Sequence, residues 1–221
     1  MFQEAVLKAG SSVFNNGGKF MGNRAIIQTK ESYENEGIGI YLHWNGGRDS
    51  VEAFLKYCEL KGYRSPDCDN YGWARLCQVI GNYFGGALSI GIDNFGKSVG
   101  EWQDNGTYII KGWKIVDRKC WGDDCEEQNN YDLTRMLIDI DKAQPVKEQF
   151  GKDFILAPEV PISKLKIGDT VFINIYEGTY EKCKVVGIKD DIPYVDLYDH
   201  DGDYSWNSNN YIRTETIKVC R

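Results

Sequence analysis

Positive charge is in deficit: 26 Lys and Arg stand against 33 Asp and Glu, for a formal charge of -7 and a pI near 5.0. Neutralising nucleic-acid phosphates takes a surplus of Lys and Arg along one face, so direct nucleic-acid binding is not expected. No apolar run approaches the roughly 20 residues that cross a bilayer, which removes the membrane as a partner. The opening Met1-Phe2-Gln3-Glu4 lacks the basic start and apolar core of a secretion signal, so a cytoplasmic location is expected. Nucleotide-binding fingerprints are missing too, because Gly81, Gly85 and Gly86 close a helix instead of opening one. Residues 199–203, Asp-His-Asp-Gly-Asp, lack the sixth-place glycine and twelfth-place glutamate of a calcium loop and read as a strand turn. The seven cysteines, at 58, 68, 77, 120, 125, 183 and 220, are odd in number. Without an export signal they argue against a disulfide framework, and reduced thiols are expected.

What is there is hydrophobic patterning sufficient for an ordered protein with one sizeable core or two modest ones. Residues 37–62 are the most informative. Ile38, Ile40 and Leu42 alternate with Gly39, Tyr41 and His43 as in a strand, and then Val51, Phe54, Leu55 and Cys58 follow helical spacing. The period changes at Asn45-Gly46-Gly47, where Asp49 or Ser50 is placed to cap the helix.

Residues 1–20 read as an arm or short helix, with an amphipathic stretch at 2–9. Residues 24–30 and 37–44 read as an antiparallel pair around a polar turn. Helices are predicted over 49–61 and 70–84, the second with Trp73, Leu76, Cys77, Ile80 and Phe84 on one stripe. Strands at 87–93, 107–110 and 113–118 complete a sheet of about five strands. A helix at 131–142 ends before Pro145. Without regular strand-helix-strand alternation, residues 21–156 read as an α+β domain: a mostly antiparallel sheet with two or three helices. Residues 157–221 read as a small all-β, barrel-like domain, with turns at Glu177-Gly178, Asp190-Asp191 and Asp201-Gly202 and Cys183 facing its interior.

The stretch LKIGDTVFINIYEGTYEKCKVVGI at 165–188 resembles the first hairpin of SH3-like barrels, which implies a docking accessory more readily than a catalytic centre. In the first domain, GNRAIIQ, IYLHWNGGRDSVEAFL, IGNYFGG with LSIGID, and GWKIVDR resemble a family of bacterial and bacteriophage-type proteins across residues 22–118. That resemblance implies no catalytic residue set. It implies a mobile-element accessory that interferes with a host or rival system.

Three groupings are candidates for chemistry. His43, Asn45, Gly46, Gly47 and Arg48 stand where backbone amides and a helix dipole favour an anion or a partner's carboxylate. The enzyme alternative uses His43, Arg48 and Asp49, although no nucleophile accompanies them; the bland reading is turn geometry and local pairing. Cys120 and Cys125, with four residues between them, and Cys68 make an alternative zinc site that still lacks ligands. Otherwise no cofactor is expected. Trp121 with Asp123, Asp124, Glu126 and Glu127 forms an acidic, aromatic run suited to an Arg-rich surface. The expectation is a non-catalytic binding protein whose partner has a basic surface, an anti-defence inhibitor such as an anti-CRISPR protein on a nuclease complex being the concrete form. A small hydrolase or nucleotide-handling enzyme and a zinc-stabilised interaction module are the alternatives.

Overall fold

Ile26, Ile27, Ile40 and Leu42 are wholly buried because their strands lie side by side at the centre of a sheet. The computed structural model describes residues 23–86, 89–97, 104–120, 131–176, 178–196, 210–212 and 214–220. The chain divides into two compact units between Lys147 and Glu148. Helices and two antiparallel-rich sheets give the α+β class that the irregular element order predicts.

In the first unit β1 (Ala25–Thr29) pairs antiparallel with β2 (Ile38–Leu42), which pairs with β3 (Ile90–Asn94). The polar segment after β1 is more than a turn. Thr29 Oγ1 accepts from Ser32 N at 3.1 Å and caps one helical turn, α1 (Lys30–Glu34). β4 (Thr107–Lys111) and β5 (Lys114–Lys119) form a hairpin at Gly112, whose φ of 60° suits glycine. β4 lies parallel to β1, so the sheet order is β3-β2-β1-β4-β5. Register sorts the side chains. Ile27, Ile40, Leu42, Ile90, Tyr108 and Ile110 share one face, and Ile26, Gln28, Tyr41, Thr107 and Ile109 share the other.

Among the described residues three longer helices belong to this unit: α2 (Arg48–Leu60), α3 (Asn70–Phe84) and α4 (Leu133–Ala143). Asp69 caps α3 and Asp132 caps α4 through their carboxylates, while Gly85, left-handed at φ 68°, ends α3. The helical stripe is as expected in Trp73, Leu76 and Ile80, all buried. Polar groups between the helices are matched: Tyr57 Oη donates to Asp141 Oδ1 at 3.0 Å, and Asn82 Nδ2 donates to Gln144 Oε1 at 2.9 Å. Burial first and then the Asp141 charge push the Tyr57 hydroxyl far above the ordinary tyrosine range, which keeps it protonated as a donor.

The second unit contains α5 (Lys152–Leu156), β6 (Glu159–Pro161), β7 (Thr170–Tyr176), β8 (Thr179–Lys189), β9 (Ile192–Val195), β10 (Asn210–Tyr211) and β11 (Thr216–Cys220). Among the described residues all pairings are antiparallel, in the order β10-β9-β8-β7-β11-β6. The barrel expectation is corrected here, because among the described residues β10 and β6 do not pair and the sheet stays open. Edge strands of two and three residues offer too few ladder bonds to close it. Its core gathers Leu165, Val171, Val185, Val195 and Val219, with Cys183 inside as expected. Asp190 and Asp191, at φ 51° and 62°, make the tight β8–β9 turn. The unit starts before residue 157 because α5 belongs to it: Phe154 stacks on Phe150 at 4.7 Å and meets Phe172 edge-on at 5.3 Å.

Two glycines of α3 make a matched test. Alanine in a helix is ordinarily better than glycine by roughly 0.5–1 kcal/mol. A Cβ at Gly81 would meet only Ile90 Cδ1, at 3.8 Å, whereas one at Gly72 would collide with the Ser65–Pro66 backbone. Urea unfolding should show Gly81→Ala stabilising by that amount and Gly72→Ala destabilising by about 1–3 kcal/mol.

Candidate functional site

The turn that joins β2 to α2 is built around close approach. Asn45 takes the left-handed conformation at φ 54°, and its Nδ2 donates to Ser50 Oγ at 3.3 Å. Gly46 N donates to Asn23 O at 2.7 Å, and a Cβ there would lie 2.7 Å from both Ala25 N and Asn23 O. Gly47 is the N-cap of α2, with no side-chain bond. This corrects the expected cap: the helix starts at Arg48, one residue ahead of Asp49, and Asp49 Oδ1 instead accepts from Ser50 Oγ at 3.3 Å. Asn45 and Gly46 therefore serve the turn itself.

His43 and Arg48 are not brought together. His43 continues the β2 ladder by donating its N–H to Ser89 O at 2.9 Å, and alternation sends its ring to the Tyr41 face. There Tyr41 Oη and His43 Nδ1 lie 3.0 Å apart, and Trp44 meets the imidazole edge-on at 5.0 Å. Arg48 belongs to α2 on the opposite, Tyr108 face. Its Nε is 3.5 Å from Glu52 Oε2, which also accepts from the Tyr131 hydroxyl. The Tyr108 hydroxyl is buried with no hydrogen-bond partner among the described residues, and burial pushes it up to about 12 against the opposing charges of Arg118 and Arg48. The sheet stands between the imidazole and the guanidinium.

Beside the His43 face lies an ion pair that no sequence pattern indicated. Arg24 Nε and Nη2 donate to the two Asp104 oxygens at 3.0 and 2.9 Å, and Arg24 N adds a third bond at 3.0 Å. Partial burial raises the Asp104 carboxyl, but the Arg24 bonds and charge outweigh it and hold the group below the usual carboxylate range. Trp44 stays 42% exposed, a large share for an indole. The result is a surface of aromatic rings, with Tyr41, His43 and Trp44 in contact and Arg24–Asp104 locked nearby. Strand alternation makes Tyr41 with His43 legible; a pair eighty positions apart carries no local signal.

The other candidates separate as well. Cys68 is an exposed free thiol whose Sγ is 3.5 Å from Ser65 Oγ, and Cys58, Cys77, Cys183 and Cys220 are also free. Cys120 is in a disulfide, which corrects the expectation of reduced thiols and leaves it no thiolate for zinc. Among the described residues no group of three or more His, Cys, Asp or Glu is arranged to hold a metal ion. Trp121, Asp123, Asp124, Cys125, Glu126 and Glu127 lie outside the described residues, as do the amphipathic stretch at 2–9 and the Asp-rich turn at 199–203. No described helix is long and apolar enough to cross a membrane. Comparison with protein-family models, curated proteins and solved structures found no match.

Two measurements check this chemistry. In denaturant without reductant five thiols should react with Ellman's reagent, and seven after reduction; in the folded protein Cys68 should react first, because burial pushes Cys58 above the ordinary range and raises Cys77 and Cys183 to about 11. Asp104 is depressed in the fold, so its contribution to stability is present above the unfolded carboxylate value of about 4 and is lost as pH falls through the lower folded value. Asp104→Asn should flatten that acid limb of stability against pH.

Proposed function

We propose that this protein is a non-catalytic binding protein that engages another macromolecule through the Tyr41–His43–Trp44 surface. The observation that carries the reading is the exposed Trp44 edge-on to His43, itself bonded to Tyr41. Trp, Tyr and Arg dominate the energetics of protein interfaces because they bury large area with few rotatable bonds and retain a polar handle. The polar groups here are occupied locally: Asp104 holds Arg24, and Arg48 holds Glu52 on the far face. An arrangement of that kind supports adhesion more directly than proton transfer.

The net charge of -7 favours a partner with a basic surface, since complementary potential speeds encounter and fixes orientation. The resemblance of residues 22–118 to bacterial and phage-type proteins makes an anti-defence inhibitor the specific form of the proposal. It would act in the cytoplasm of a host cell on a basic nuclease such as a CRISPR effector.

A purified CRISPR nuclease, mixed with the full chain across a salt series, tests this. The expected result is a stoichiometric complex that weakens with salt, and Trp44→Ala should lower its affinity by about 30-fold or more while the melting temperature barely moves. Unchanged affinity in Trp44→Ala would remove the surface from consideration. Turnover of a small substrate that vanishes in a folded His43→Ala variant would replace binding by catalysis.

A further inference from the structure

Arg48, Glu52, Lys56 and Glu59 recur at i, i+4, i+8 and i+11 of α2, so they occupy one helix face. With Trp113, Ile115 and Leu133 they line a groove of about 370 Å³ in the first unit. The groove is preformed. Trp113 Nε1 donates to Tyr63 O at 2.7 Å, and the preceding Gly112 N–H donates to the Asp67 carboxylate, which pins the β4–β5 turn. Both acids of the lining are engaged, Glu52 by Arg48 and Tyr131, and Glu59 by Lys56 Nζ at 2.7 Å.

Lys114 also lines the groove and differs from the rest. It is exposed, and it forms no ion pair or hydrogen bond among the described residues. The lining thus carries three cations against two carboxylates, a local positive surplus in an acidic chain. A small groove lined in part by apolar side chains, with an ammonium that has no partner among the described residues, selects for chemistry that supplies a negative charge and covers the apolar lining.

We infer that this groove binds an apolar carboxylate, with an aromatic or aliphatic body on Trp113, Ile115 and Leu133 and its carboxylate at Lys114. The volume stands near the small end of ligand sites, which run from about 300 to 1,000 Å³. It suits a free aromatic acid or the last residues of a peptide. The site is separate from the Trp44 surface and does not depend on it.

The experiment titrates 15N-labelled full chain with 3-phenylpropionate and with acetyl-Leu-Leu-Phe carrying a free or an amidated C-terminus. The expected result is amide shifts at Lys114 and Ile115 and a shift of the Trp113 indole. Lys114→Met should weaken the free-acid probes about tenfold, with the fold intact because the side chain is exposed. Binding by phenylpropionate alone assigns the site to small acids, and binding by the free-acid peptide as well admits chain ends; both outcomes support the site. Equal binding of the amidated peptide, shifts confined to other regions, or no shifts up to about 10 mM would each overturn it. Lys114→Glu is the second variant, and unchanged affinity in it would count the same way.

Discussion

Parallel pairing of β1 with β4 is the contact on which the first unit depends, because it joins the β1–β2–β3 ladder to the β4–β5 hairpin. Strands so distant in sequence lose chain entropy on meeting, though the cost grows only with the logarithm of the loop. Asn105 offsets it at the point of closure. Its N–H donates to Arg24 O at 2.9 Å, its Nδ2 to Arg24 O and Asn23 Oδ1, and its carbonyl accepts from Arg118 Nε at 2.8 Å. Ile26 N then bonds Gly106 O at 3.0 Å and starts the register. Gly106 is left-handed at φ 68°, and a Cβ there would collide with Lys119 O, so only glycine fits.

That closure also shapes the functional surface. Because β1 starts where β4 starts, Arg24 meets Asp104, and both come to the end of the sheet where β2 delivers His43. The same sheet then partitions the chemistry that one sequence segment seemed to concentrate. A single strand step reverses the side-chain direction, and the glycine turn carries the chain onto the other face before α2 begins. Five residues of separation between His43 and Arg48 thereby become two different environments: exposed rings on one side, and charge pairs beside a buried tyrosine on the other.

Much of the architecture was legible where local rules dominate. Residues 70–84 read as a helix from their apolar stripe and are one, and Asp190-Asp191 reads as a turn and adopts left-handed dihedrals. Legibility failed where contacts are distant or where two local rules compete. Gly47 took the cap position because the turn packs against Ala25 and Asn23, leaving Asp49 inside the helix. α5 joined the second unit because Phe154 found Phe150, Phe172 and Tyr180, a cluster with no sequence periodicity.

By itself, the order of residues determined the α+β class, the positions of the long helices, the five-strand count of the first sheet and the neighbourhood of Tyr41 with His43. Those features follow from periodicities of two and of 3.6 and from turn chemistry, all of which act over a few residues. Tertiary structure decided which strands became neighbours, on which face each polar group emerged, that Arg24 and Asp104 lock together, and that the second sheet stays open among the described residues. These depend on pairings between remote segments, whose energies are set by geometry at the contact and leave no local pattern in the chain.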